Sequence, residues 1–219
     1  MEFAKTYSEI DRGGARSLVR NAALSALSTG MKLMGGMDKS LKKPRVQVLL
    51  LHHVFADEEA KFRDLLTALA RRHTFISYSD AVRKIEAGTT EAIDKPYVTF
   101  SFDDGIRNCV KAAEILEEFG ATACFFVCPG IVEEHDEAKI DAFCRQRLEL
   151  PKAVGFMSWN ELEHLLTHGH EIGGHTVNHV RLSSVSATEA VAEIRESFEV
   201  ITRRLGSASH FAWTYGRFE

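Results

Sequence analysis

The sequence of 219 residues lacks two features that mark large classes of proteins. It has no run of about 18 or more apolar residues, so no membrane-spanning helix is predicted. It has no excess of basic residues: the formal net charge is −4, which gives no basic footprint for nucleic acid or for an anionic membrane surface. With 45% hydrophobic and 26% charged residues, the remaining composition is that of an ordinary globular chain.

Cysteine is also scarce, with four residues at positions 109, 124, 128 and 144. Four cysteines in a chain of this length are too few for a disulfide framework. None of them forms a Cys-x-x-Cys pair, which argues against a zinc ribbon. Cys124 and Cys128 lie four residues apart on one face of a predicted strand. We therefore predict that they are small buried hydrophobic residues.

Residues 1–44 show no strong hydrophobic period and are predicted to be an N-terminal extension. The stretch at 17–37 has a mildly apolar Ala/Leu patch, but Glu2, Glu9 and Asp11 interrupt the positive charge that a signal peptide requires. We predict no signal peptide and a cytoplasmic location, and export stays open.

From residue 45 onward, short apolar runs alternate with segments of helical period. The run at 45–55 is rich in Val and Leu, and the next segment carries Phe62, Leu65, Leu66 and Leu69 on one helical face. Five further strand segments follow, most of them with a helical segment after them. These predicted strands cover 74–79, 97–102, 122–128, 170–176 and 210–216. This alternation predicts one domain with a parallel sheet, either doubly wound or curled into a barrel.

Local signals mark several helix boundaries within this pattern. Ser79 is predicted to cap the helix that ends at Gly88. Two capping boxes, Ser158 with Glu161 and Ser186 with Glu189, are predicted to open later helices. The charged stretch from 129 to 151 is predicted to be irregular.

Polar residues collect at the predicted carboxyl ends of the strands, which meet at the active-site edge of a parallel α/β fold. Asp103, Asp104 and Gly105 follow one strand. His175 and His179 follow another. Two further clusters are Trp213–Gly216 after the last strand and, more weakly, His52–His53 after the first.

The two histidines predict a metal site. At positions i and i+4 they would project to one side of a helical turn, which is a common way to present two ligands. A zinc protease would place a Glu directly after the first His, but here Thr176 stands there, so a general base must come from elsewhere. Asp104 is the candidate third ligand, and it would complete a His, His, carboxylate set with open positions.

Asp103 is the candidate general base, because it would lie beside any water that such a cation activates. Gly105 would permit the tight turn that aims both carboxylates at one point. Taken alone, an Asp after a strand is more often a helix cap, and two histidines are often ordinary loop residues. The coincidence of both motifs at strand ends favours a metal site. An iron oxygenase with the same ligand set is disfavoured, since those sites normally lie on a double-sheet β scaffold.

The segments "TFSFDDG", "HTVNH" and "FAWTYG" together resemble the motifs of the metal-dependent polysaccharide deacetylase (NodB-homology) family. The first strand, "VLLLHHV", is similar to the Tyr-His-x-Val start of many members. The likeness spans Arg45 to Glu219. It implies a distorted (β/α) barrel that removes N- or O-acetyl groups from carbohydrates with one divalent ion, Zn²⁺ by preference, with Co²⁺, Ni²⁺ and Fe²⁺ as alternatives.

By this resemblance Asp103 is the general base and Asp104, His175 and His179 are the metal ligands. The backbone N–H of Tyr215 would stabilise the tetrahedral oxyanion together with the metal. The implied partner is an acetylated carbohydrate, with no nucleic acid and no transmembrane segment. The sugar, its polymer length and the oligomeric state stay open.

The sequence departs from the family pattern in two places. Ala212 stands where many members carry an Arg that orients the catalytic Asp, and Thr214 replaces a usual Pro. The later motifs, an Asp/Trp strand and a Leu-x-His with the general acid, do not follow Tyr215. We therefore expect residues 45–219 to form a C-terminally incomplete domain without its last strands, and no acid is assigned. A second hypothesis is an impaired homologue that keeps the metal site and binds carbohydrate.

Overall fold

The computed structural model describes residues 1–11, 43–88 and 93–216. Its centre is a five-stranded sheet in which every paired strand is parallel. The strands are β1 (Arg45–Leu51), β2 (Thr74–Phe75), β3 (Pro96–Phe102), β4 (Ala123–Val127) and β5 (Glu171–Gly174). β1 follows one side of β3 along its whole length, and β2 and β4 share the other side. β5 pairs with the far side of β4.

Helices connect and cover these strands. They are α1 (Glu59–Ala70), α2 (Tyr78–Ala87), α3 (Cys109–Glu118), α4 (Glu137–Gln146), α5 (Trp159–Thr167) and α6 (Ala187–Leu205). The predicted alternation of strand and helix is confirmed, and so is the α/β class. Among the described residues the sheet does not close on itself, so the architecture is that of an open, distorted barrel.

The continuous apolar strands are buried as their composition predicts. All five residues of β4 are buried, as are six of the seven residues of β3. The rings of Phe102 and Phe125 stack with centroids 5.2 Å apart and an interplanar angle of 12°. Phe62 of α1 meets Phe102 edge-on at 6.4 Å. Cys124 and Cys128 are free and buried, which confirms their predicted role as small core residues, and Cys109 and Cys144 are free and buried as well.

Several helix ends follow the predicted signals. Ser158 and Glu161 form the predicted reciprocal capping box at the start of α5. At the start of α6 only half of the predicted box is present: the hydroxyl of Ser186 accepts the amide of Glu189, without the return bond from the Glu189 side chain. Gly88 and Gly206 end α2 and α6 in the left-handed region, with φ of 62° and 89°. A residue with a side chain would be strained at these two positions.

Two predictions between the strands are wrong. The stretch 129–151 contains α4, because the carboxylate of Asp136 accepts the amides of Ala138 and Lys139 and caps a helix there. Ser77, not Ser79, caps α2. The hydroxyl of Ser79 instead contacts Glu171 and His210, which joins α2 to the start of β5 and to the C-terminal segment.

The last predicted strand, 210–216, is reduced to a single parallel bridge between Phe211 and Gly174. The chain then turns in a 3-10 helix, Thr214–Gly216. Tyr215 and Gly216 have φ of 58° and 59°, and two successive left-handed residues cannot continue a strand.

The first eleven residues pack against the domain. The amide of Ala4 donates to the carbonyl of Ala153 at 2.8 Å, the amide of Tyr7 donates to Asp57 Oδ1 at 2.9 Å, and Ile10 is buried. The predictions made for residues 12–42 lie outside the described residues. No helix in the described ranges is both long enough and apolar enough to cross a membrane.

Candidate metal centre

The turn after β3 carries the two adjacent carboxylates. The amide of Asp103 still donates to the carbonyl of Leu51 on β1, at 3.0 Å. Asp104 and Gly105 then adopt φ of 73° and 70°, which reverses the chain and confirms the tight turn predicted at Gly105. The N-cap of α3 is Asn108, so neither Asp caps the following helix. That outcome removes the simplest structural explanation for the pair.

The loop after β5 carries the two histidines, but not on the helical turn that the sequence predicts. Thr176 and His179 both have positive φ, 60° and 51°, and these residues belong to no helix. The left-handed residues fold the loop back on itself, so that His175 and His179 still face the same point. Their ring centroids are 5.0 Å apart.

Glu193 of α6 holds this loop in place. Its Oε2 accepts the amides of Val177 and Asn178 at 2.8 and 3.0 Å, and its Oε1 accepts the Asn178 side-chain amide at 2.8 Å. On the opposite side, Gly130 donates its amide to the carbonyl of Val177 at 3.0 Å. A Cβ on Gly130 would lie 2.7 Å from the Asn178 and Val177 oxygens, so the approach requires glycine.

Asp104, His175 and His179 converge on one point in the buried interior. The Nε2 atoms of His175 and His179 lie 3.6 and 3.2 Å from Asp104 Oδ1, and the three ligand atoms lie within 4.8 Å of one another. Two ligands bound to one zinc ion at about 2.1 Å in tetrahedral geometry are about 3.4 Å apart. The spacing to Asp104 therefore fits a shared divalent ion.

Hydrogen bonding around the site also suits a cation. The Nδ1 of His175 lies 2.8 Å from the carbonyl of Ala212. A carbonyl only accepts, so Nδ1 carries the proton and Nε2 presents a lone pair to the site. Oδ1 of Asp103 is buried without a hydrogen-bond partner among the described residues, and Oδ1 of the equally buried Asp104 faces the two imidazole nitrogens at 3.6 and 3.2 Å. Buried carboxylate oxygens that lack a hydrogen-bond partner are costly unless a cation or substrate meets them.

The ionisation of the site residues is strongly perturbed. Burial and the neighbouring Asp104 charge raise the pKa of Asp103 to about 8. Burial opposes the ionisation of Asp104, but His179 and His175 outweigh it and lower the pKa of that carboxyl. Burial lowers the pKa of His175 to about 4, so its imidazole is neutral at physiological pH, as a metal ligand must be.

These residues lie in the floor of a cavity of about 560 Å³ at the carboxyl ends of the strands. Tyr215 lines its wall, with its ring 4.8 Å from that of His179, and its hydroxyl donates to the carbonyl of Arg147 at 2.6 Å. Three histidines line the cavity: His52, His175 and His179.

His52 is a cavity residue that sequence reasoning noticed only as a weak strand-end cluster and assigned no role. It follows β1, the strand beside β3, so its strand-end position was the signal that could have found it. Its neighbour His53 lies outside the cavity and pairs with Glu58, at 3.1 Å between Nδ1 and Oε2.

A parallel α/β sheet that places two buried histidines and a carboxylate beside a second carboxylate is an arrangement that can support metal-assisted hydrolysis. The family model for polysaccharide deacetylase matches residues 90–219. The chain belongs to the polysaccharide deacetylase family, a family of hydrolytic enzymes.

Solved structures of deacetylases share the fold. IcaB from Ammonifex degensii matches with a TM-score of 0.65 at 17% identity, over 81% of this chain and 77% of that one. Deacetylase PplD of Streptococcus pyogenes, in complex with acetate, matches with a TM-score of 0.61 at 20% identity, over 81% of this chain and 76% of that one. A de-N-acetylase from Aggregatibacter actinomycetemcomitans gives 0.60 at 19% identity over 80% of each chain. No protein of curated function matches this chain in sequence.

Proposed function

We propose that this protein is a metal-dependent deacetylase that hydrolyses the acetamide of an N-acetylated sugar in a poly- or oligosaccharide and releases acetate. The observation that carries the proposal is the convergence of Asp104, His175 and His179 on one point, with Asp103 beside them, in an open cavity. Family membership and the shared fold of three solved deacetylases support the same reaction.

Asp104, His175 and His179 would hold one divalent ion, Zn²⁺ by preference given two imidazoles and one carboxylate, with Co²⁺, Ni²⁺ or Fe²⁺ as alternatives. When bound, the ion supplies Lewis acidity, which polarises a carbonyl oxygen and makes a water molecule more acidic. The carbonyl of Ala212 keeps His175 in the tautomer that presents Nε2, and Glu193 keeps the loop of both histidines in position.

Asp103 is the general base in its ionised form, which a cation held by the three ligands would favour against the burial that raises its pKa. Its Oδ2 lies 4.0 Å from His175 Nε2, so it borders the ligand atoms without being one of the three, and it would take the proton of the attacking water. Tyr215 lies across the cavity beside His179. Its backbone N–H would donate to the oxyanion that forms when water adds to the acetyl carbon.

His52 is the proton donor in this proposal. The leaving amine needs a proton when the C–N bond breaks, and His52 is the remaining histidine of the cavity wall once the two ligand histidines are set aside. Its side chain is exposed, so it exchanges protons with solvent. An imidazole can act as a general acid, giving a proton to an amine and recovering it from water.

The test is acetate release from N-acetylglucosamine oligomers by zinc-reconstituted protein, measured against the same protein after chelation. We expect turnover that depends on the metal. Asp103→Asn should keep the metal and lose acetate release by at least about a hundredfold, the usual contribution of a general base. Full activity in Asp103→Asn would contradict the base assignment.

A second candidate function is carbohydrate binding by an impaired homologue. The specific observation in its favour is that Oδ1 of Asp103 has no hydrogen-bond partner among the described residues, and Ala212 occupies the position of the family's orienting Arg. In the assay above, that protein would bind the oligomers and zinc but release no acetate.

A further inference from the structure

Two arginines on different loops line the same cavity. Arg147 follows α4 directly, and Arg181 precedes the 3-10 turn at Leu182–Ser184. The cavity is the one that holds the candidate metal ligands. The chain therefore brings two permanent positive charges to the cavity that a sugar must enter.

Tyr215 stands between these arginines and the metal centre. The guanidinium carbon of Arg181 lies 4.0 Å from the centre of the Tyr215 ring, and the same ring lies 4.8 Å from that of His179. The Tyr215 hydroxyl binds the backbone of Arg147. A cation–π contact with an aromatic ring restrains the Arg181 guanidinium, and a guanidinium held in this way still has N–H groups with which it can bind an anion.

Apart from Asp103 and Asp104 at its floor, the cavity lining carries more positive than negative charge. Glu149 also lines the cavity, so this part of the lining carries two guanidinium groups against one carboxylate. Within the described part of the chain, no carboxylate lies within ion-pair distance, 4.0 Å, of either Arg147 or Arg181. By contrast, Arg145, two residues before Arg147, is paired with Asp141 at 2.8 Å and lies outside the cavity.

We infer that Arg147 and Arg181 form an anion subsite, so that the preferred substrate is an N-acetylated sugar bearing a carboxylate or a phosphate beside the acetamide. The inference rests on the proposed deacetylase function and names its substrate class. Guanidinium groups match the planar geometry of carboxylates and phosphates. A charge-assisted hydrogen bond contributes about 1.5–3 kcal/mol, which corresponds to a preference of about ten- to a hundredfold over a neutral analogue.

The experiment compares matched pairs of sugars that differ in charge: N-acetylmuramic acid against its methyl ester, and phosphorylated N-acetylglucosamine against N-acetylglucosamine. The first pair reports a carboxylate, and the second reports a phosphate. For each, kcat/KM for acetate release is measured with zinc-loaded protein. Binding of each sugar to the zinc-loaded Asp103→Asn variant is measured separately by calorimetry, so that binding is observed without turnover.

We expect the anionic member of at least one pair to be preferred by about tenfold or more in binding and in kcat/KM. Arg181→Gln and Arg147→Gln should remove that preference, so that the charged and neutral members of a pair are bound and turned over alike, whereas Arg145→Gln should keep it. Unfolding midpoints confirm that each variant is folded, and Arg181→Lys tests whether charge alone is enough.

Equal binding of charged and neutral sugars, or a preference that survives in both Arg181→Gln and Arg147→Gln, would overturn the anion subsite. Failure of the deacetylase proposal has a different signature, since no sugar would then release acetate. In that case the calorimetric binding measurements with Asp103→Asn still decide whether the arginines select an anion.

Discussion

At the scale of single residues, the site gives opposite pKa shifts to two carboxyl groups that are neighbours in sequence. Asp104 faces two imidazole nitrogens at 3.6 and 3.2 Å, and its pKa is lowered. Asp103 is buried beside that charge, and its pKa is raised. Different surroundings give adjacent acids different chemistry, which is how paired carboxylates take the separate roles of ligand and base.

The role of His52 is tested by changing the leaving group. His52→Gln should reduce acetate release from an N-acetylated sugar by about a hundredfold or more, because the amine then leaves without a proton donor. The same variant should keep nearly all of its activity on p-nitrophenyl acetate, whose leaving group needs no proton. Parallel loss on both substrates would assign His52 to binding or folding.

The matched control is His53→Gln. His53 is adjacent in sequence, packs with Glu58 and Phe55, and does not line the cavity. This substitution should leave both activities close to those of the unaltered protein.

At the scale of structural elements, the loop of the two histidines depends on α6. Glu193 accepts three hydrogen bonds from that loop. The loop contains two non-glycine residues with positive φ, a conformation that costs energy unless surrounding contacts hold it. Glu193 is thus a positioning residue for His175 and His179.

Glu193→Gln should weaken zinc binding by about ten- to a hundredfold, the usual effect of losing a group that supports metal ligands. The amide has one acceptor oxygen, so it cannot accept both backbone amides and the Asn178 side chain as the carboxylate does. Competition with a chromogenic chelator measures the affinity.

Glu196→Gln is the matched control for this prediction, because Glu196 lies exposed on the same helix. It should bind zinc as the unaltered protein does. Unchanged zinc affinity in Glu193→Gln would show that the loop holds its conformation without the carboxylate.

The elements also show what the sequence could predict. Strands β3 and β4 are continuous apolar runs, and their burial and parallel pairing followed from that pattern. The candidate ligands were found because strand ends meet at one edge of a parallel sheet. Helix α4 was missed because its apolar residues lie within a highly charged stretch.

Other features have no local signal in the sequence. Positive φ at Thr176 and His179 occurs in residues that normally avoid it, so the loop was predicted as a helical turn. Glu193 contacts the loop only because α6 folds back across β5, and this contact depends on the packing of the whole domain. The two arginines likewise line one cavity only in the folded chain.

At the scale of the whole molecule, side chains join parts of the barrel that strand pairing leaves apart. Ser79 at the start of α2, Glu171 at the start of β5 and His210 form one hydrogen-bonded cluster. Deeper in the sheet, His170 accepts the amide of Ala123 through Nδ1 at 3.1 Å, and its Nε2 lies 3.2 Å from Glu117. This buried histidine joins β4, β5 and α3.

The stability that His170 contributes should therefore fall in mild acid; His175, whose pKa is also lowered, acts in the same direction, and Asp103, whose pKa is raised, acts in the opposite one. Burial lowers the pKa of His170 despite the opposing effect of Glu117. The unfolded chain takes up a proton below about pH 6.5, whereas the folded chain does not, so stability is lost as pH falls from there toward the folded-state pKa. One such histidine contributes a slope of the free energy of unfolding against pH that approaches about 1.4 kcal/mol per pH unit.

Denaturant unfolding of the metal-free protein between about pH 7 and about pH 5 measures this slope. His170→Asn should flatten it, because an amide oxygen can accept the Ala123 amide without titrating. His168→Asn, at an exposed position nearby, should leave the slope unchanged. An equally steep loss of stability in His170→Asn would assign the acid sensitivity to other groups.

The most direct test of the central claim is a calorimetric titration of the metal-free protein with zinc. If Asp104, His175 and His179 form one metal centre, one ion should bind per chain, and His175→Gln and His179→Gln should each weaken binding by at least about a hundredfold while remaining folded. Absence of zinc binding, or undiminished binding in both variants, would contradict the metal centre and the deacetylase reaction that depends on it.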